Sequence, residues 1–101
     1  MDIQVIYAKL KHMGLATSHA EFSRVWLGRS SRYYSKLLTT DRQPGVPTLN
    51  ALRVRLASLV TSMRDSPQRQ ELCHLVESLR QHIDHRSIVD IRRRKSPYLP
   101  D

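Results

Sequence analysis

The stretch Ala20–Leu37, "AEFSRVWLGRSSRYYSKL", holds two short helix-compatible runs joined around one glycine, Gly28. Its second half opens with Ser30 and Ser31 and then sets Arg32, Tyr33, Tyr34 and Lys36 close together. That is too polar for a buried hairpin and too aromatic for an idle surface. Two short helices at a sharp angle, joined by a tight Gly-containing turn, form the helix-turn-helix unit, whose second helix enters the DNA major groove. Base edges are then read by Arg, Lys or Ser near the start of that helix, while capping hydroxyls and helix N-terminal amides grip phosphate.

The surroundings of this stretch read as helices throughout. Ile3, Ile6, Tyr7, Leu10 and Met13 recur at the period of one helix face, predicting a first helix over residues 2–13 stopped at Gly14. In "SHAE", Ser18 caps the second helix and Glu21 reaches back to the Ser18 amide, with Phe22, Val25 and Trp26 facing inward. Ser30 or Ser31 caps a third helix over residues 31–39 with Tyr34, Leu37 and Leu38 as its inner face. After the loop "TTDRQPGVP", Thr48 caps a long fourth helix that buries Leu49, Leu52, Leu56, Leu59, Val60 and Met63. Ser66 and Pro67 then open a fifth, with Leu72, Leu75, Val76, Leu79 and Ile83 on one face and Glu71 near its start. "SIVD" around Ser87 restarts a helical turn, and "RRRKSPYLPD" reads as a mobile tail.

Charge sorts these pieces. In a chain of 101 residues with formal charge +8, residues 1–64 carry ten Lys/Arg against three Asp/Glu, residues 65–91 three against five, and residues 92–101 four against one. Such a field attracts polyanions, nucleic acid first and an anionic membrane surface second. The organisation expected is a DNA-binding domain over 1–64, a packing or dimerising helix over 65–91, and a basic arm, Arg92, Arg93, Arg94 and Lys95, that adds grip on phosphate. The lone Cys73 makes no internal disulfide, no signal peptide is visible and no apolar run reaches a membrane span, so a soluble cytosolic protein is expected.

Glycine-rich phosphate loops, a nucleophile elbow and a convincing carboxylate pair are missing, which argues against an enzyme. His74, His82 and His85 lack the cysteines or carboxylates that zinc patterns require. No metal, cofactor or small-molecule ligand is called for. Trp26 and Phe22 suit the core better than a base-stacking platform.

At these residues the chain resembles the lambda-repressor-like (Cro and phage-repressor) DNA-binding family. "AEFSRVWLG" is similar to its first helix and turn, "RSSRYYSKL" to its recognition helix, and "VPTLNALRVRLASL" to the helix that follows, covering residues 3–60. The family has one residue fewer between Ser23 and Gly28, so one is inserted near Val25, Trp26 and Leu27; Ser23 stands for its usual alanine and Arg29 for its usual apolar residue. The "FSRVWLGRSSRYY" pattern is also similar to small uncharacterised bacterial proteins.

The resemblance implies an all-α bundle of five helices acting as a sequence-specific transcription regulator on double-stranded DNA. Ser31, Arg32 and Lys36 would face base edges, with Lys36 equally able to grip a phosphate; Ser30, Arg29, Tyr33, Ser35, Arg24 and Arg42 would lie at phosphates. A homodimer through Leu72, Leu75, Val76, Leu79 and Ile83 would read two half-sites, making the protein nucleoid-associated when bound. The alternatives are a protein-interaction module on the same fold, such as an antitoxin or adaptor, and a nonspecific nucleic-acid binder.

Overall fold

The computed structural model describes the backbone of residues 2–93 and the side chains of residues 2–88. It is all-helical over that range: α1 (Ile3–His12), α2 (His19–Glu21) running on as a π-helical turn over Phe22–Trp26, α3 (Tyr33–Thr40), α4 (Val46–Ser62) and α5 (Pro67–Arg93).

Each boundary has a local cause. The Asp2 carboxylate accepts the Gln4 amide at 2.9 Å and caps α1. The helix ends where Gly14 takes φ +74, folding the chain back so that Leu15 N–H reaches the Leu10 carbonyl at 2.8 Å. Ser18 Oγ caps α2 through the Glu21 amide at 3.1 Å. The reciprocal half of the expected capping box is absent: the Glu21 carboxylate is taken instead by Thr17, whose hydroxyl donates to it at 2.8 Å.

α4 starts two residues before the expected cap. Pro47 sits in its first turn, where a missing N–H costs nothing, and Leu49 N–H bonds the Gly45 carbonyl at 3.1 Å. Thr48 is therefore buried inside the helix rather than capping it. Ser66 does cap α5, accepting the Arg69 amide at 3.1 Å. α5 continues past Ser87 without a break, because no proline or glycine follows Pro67 until Pro97. The expected tail therefore starts inside helix: Arg92 and Arg93 extend α5 with side chains outside the described residues, and Arg94 and Lys95 lie outside them altogether.

One core joins all five helices, with Ile6, Leu10, Phe22, Leu27, Tyr34, Leu52, Leu56, Leu72 and Leu79 essentially inaccessible. Tyr7, Phe22 and Tyr34 meet with ring centroids 5.0 to 5.1 Å apart, knitting α1, the π turn and α3 together. Burial pushes the Tyr34 phenol above its ordinary pKa, with Tyr7 and Asp2 adding to the shift. The Trp26 indole N–H donates to the Leu15 carbonyl at 2.9 Å, so its ring packs inward without an unpaired donor.

Three expectations about the core are corrected. Val25 is 52% exposed, because the widened π turn adds a residue to the circuit and Val25 is the one turned out while Trp26 and Leu27 face in. Leu38, 37% exposed, sits at the edge of the inner stripe made by Tyr34 and Leu37 rather than within it. Leu72, Leu75 and Leu79 are at most 5% exposed within a single chain, and Val76 and Ile83 pack against the same core. The face assigned to a dimer interface is thus consumed by α5 packing on its own bundle.

Candidate nucleic-acid interface

The π turn that continues α2 is closed off at Gly28, whose φ of +66 is left-handed; the Arg29 amide then reaches back six residues to the Ser23 carbonyl at 2.9 Å, and the Leu27 amide to the Phe22 carbonyl at 3.0 Å. The chain leaves the π turn with Arg29 aimed along the surface. It enters α3 only at Tyr33, two residues later than expected, so Ser31 and Arg32 belong to the connecting turn.

The start of α3 is held from an unexpected direction. Neither Ser30 Oγ nor Ser31 Oγ caps it; the Tyr33 amide bonds the Ser30 backbone carbonyl at 3.0 Å, and the Tyr34 amide bonds the hydroxyl of Ser23, on the π turn, at 2.9 Å. Two amides that a phosphate was expected to use are therefore already occupied. Ser23, fully buried, also donates to the His19 carbonyl at 2.8 Å, which explains a hydroxyl at a helix crossing.

Around this junction lies an open depression lined by Arg29, Ser30, Arg32, Tyr33, Lys36, Leu37, Thr40 and Arg42. Four of these residues are cationic and none is acidic. The ion pairs among the described residues, Lys9–Glu71, Arg80–Glu77 and Arg80–Asp84, involve none of them. The Arg29 guanidinium lies over the Tyr33 ring, 4.9 Å from its centroid. An exposed group of unneutralised cations around a partly aromatic floor concentrates positive potential at one place, which is what an anionic polymer requires.

Of the residues expected to meet nucleic acid, Arg29, Ser30, Arg32, Tyr33, Lys36 and Arg42 are gathered here. Ser31, Ser35 and Arg24 are exposed but do not line the depression. Ser35 pairs instead with the His19 ring, its Oγ 3.3 Å from Nδ1. Thr40 and Ser23 were not foreseen: Thr40 lines the depression while bonding the Lys36 carbonyl at 2.7 Å, and Ser23 holds the junction from beneath. Among the described residues, no three His, Cys, Asp or Glu side chains converge as a metal site would require, and no helix is long and apolar enough to cross a membrane.

A family model described as a family of unknown function (DUF6626) matches residues 3–96. The chain belongs to that family. The match takes in all of the described helices, and so includes the π turn, the Gly28 stop and every residue of the depression. No curated protein and no solved structure matches the chain.

Proposed function

We propose that the chain binds double-stranded DNA through α3 and the turn before it, as a small transcription regulator in the manner of the lambda-repressor-like class. The observation that carries this reading is the depression along α3, whose lining sets four cations and no acidic side chain around Tyr33 and Leu37. A helix presented beside an anion-attracting surface is the arrangement that groove recognition needs. If these four side chains each neutralise a phosphate, log affinity falls with log salt at a slope of about −3.5. Titration of a mixed-sequence duplex over a range of salt tests it, and a flat response sinks it. Selection from random duplex then tests base reading, for which one sequence should be held roughly 10³-fold more tightly than the rest at fixed salt.

A specific observation favours a second reading, nonspecific binding. Ser31 and Arg32, two of the three expected base readers, lie in the turn rather than on α3. A side chain in the turn that meets the duplex backbone rather than a base edge carries no sequence information. Selection that enriches no sequence, with the steep salt slope retained, decides for it. The protein-interaction alternative predicts instead that duplex is ignored at every salt concentration.

A further inference from the structure

Resting on the reading of this face as a nucleic-acid interface, we infer that Ser23 and Tyr33 preorient the Arg29 guanidinium as a fixed two-point fork, making Arg29, rather than Arg32, the principal anion-recognising side chain. Two walls of the depression hang from one buried residue. The Ser23 carbonyl holds the Arg29 amide at 2.9 Å, and the Ser23 hydroxyl holds the Tyr34 amide, next to Tyr33, at 2.9 Å. Between them Gly28, in the left-handed region, fixes the direction in which the chain departs. These ties set the two backbones so that the Arg29 side chain closes onto the Tyr33 ring.

Stacking engages the face of a guanidinium and leaves its in-plane N–H groups free. Those donors form a rigid fork that suits two acceptors side by side, either the paired non-bridging oxygens of a phosphodiester or O6 and N7 of guanine. Arg32, Lys36 and Arg42 carry the same charge, but among the described residues none is held by an aromatic ring or an ion pair. Each must lose rotamer freedom when it binds, whereas Arg29 has lost much of it in advance. The residue that the lambda-repressor-like pattern fills with an apolar side chain is here, among the four cations of the depression, the one held against a ring.

The test uses the full chain and two fluorescein-labelled duplexes, one of mixed sequence and one of A·T pairs only, with Arg29→Lys, Tyr33→Phe, Tyr33→Leu and the Arg29→Lys/Tyr33→Leu pair. Arg29→Lys keeps the charge and removes the fork, so affinity should fall about ten-fold while the salt slope stays as it was. Tyr33→Leu removes the stacking face and should lose roughly three- to ten-fold, and Tyr33→Phe, which keeps that face and loses only the hydroxyl, should lose less than Tyr33→Leu. The double variant should be little worse than Arg29→Lys alone. Free of DNA, the Arg29 side-chain protons should show the ring-current shift of Tyr33 in wild type and Tyr33→Phe, and lose it in Tyr33→Leu.

A loss on every duplex alike assigns the fork to phosphodiester. A loss confined to duplexes containing guanine assigns it to guanine. Wild-type binding that Arg29→Lys leaves intact, or Arg29 protons without a ring-current shift in the wild type, overturns the fork while the interface stands. A wild type that does not bind duplex overturns both. Arg29 is exposed, so its conservative variant tests the fork without disturbing the core even where Tyr33→Leu loosens the fold.

Discussion

The hydroxyl of Ser23 accepts the Tyr34 amide at 2.9 Å and donates to the His19 carbonyl at 2.8 Å, so one buried oxygen ties the start of α2 to the start of α3. A helix beginning normally takes its cap from the residue just before it. Here the cap comes from eleven residues upstream, across the junction. Ser23→Ala leaves the buried Tyr34 N–H without a partner and should cost about 1–3 kcal/mol in urea unfolding, with the m-value unchanged.

The π turn over Phe22–Trp26 takes one residue more than an α-helical turn, and a π turn is how a helix absorbs a single extra residue. Val25, the residue turned outward, contributes little to the core. Deletion of Val25 should therefore leave a cooperatively folding protein, with Leu27 N–H bonding the Phe22 carbonyl across an ordinary α-helical turn. Thermal melting followed by circular dichroism checks this; deletion of Leu52 from the middle of α4 should abolish the transition, since it shifts a regular buried face out of register.

Gly14 and Gly28 share a left-handed backbone but not an environment. A Cβ on Gly14 meets open space, whereas one on Gly28 lands 2.7 Å from an Arg55 guanidinium nitrogen, the group that donates to the Trp26 carbonyl at 3.2 Å. Gly14→Ala should cost about 1 kcal/mol, the backbone strain alone. Gly28→Ala should cost about 1 kcal/mol more, as Arg55 swings away and its hydrogen bond is lost. In a double-mutant cycle Gly28→Ala and Arg55→Ala should be less than additive, because both remove that one bond.

Leu79 has no accessible surface in the single chain. A charge placed there must be desolvated against Leu72 and Leu75, at a cost of several kcal/mol that approaches the whole stability of a small domain. Leu79→Asp should therefore lose cooperative melting at every protein concentration, instead of yielding a folded monomer.

His82, on α5, is held below its ordinary pKa of 6.5, first by burial and then by positive charge that includes Arg86 and His85. The folded state thus prefers the neutral ring, and the unfolded chain binds a proton more readily. Stability from this group is fully present above about pH 6.5 and is lost as pH falls through the depressed folded value. His82→Gln should flatten that part of the stability profile between pH 7 and pH 5, as read from urea midpoints.

Helix periodicity made the five helices and most of their inward faces legible in the sequence alone: Ile3, Ile6 and Leu10, or Leu49, Leu52 and Leu56, recur at a spacing that only a helix converts into one apolar stripe. The basic character of the segment around Gly28 was equally plain, since charge is a property of residues and not of their arrangement. The tertiary structure decided how that segment is held. Ser23 could not be paired with Tyr34 in advance, because the bond spans two elements whose relative placement is set by aromatic packing among Tyr7, Phe22 and Tyr34. Nor could the fate of the α5 leucines be read from their spacing. An apolar stripe states that a face must leave water; whether a partner chain or its own bundle covers it depends on where the helix docks, and here α5 closes the core that α1, α2, α3 and α4 leave open.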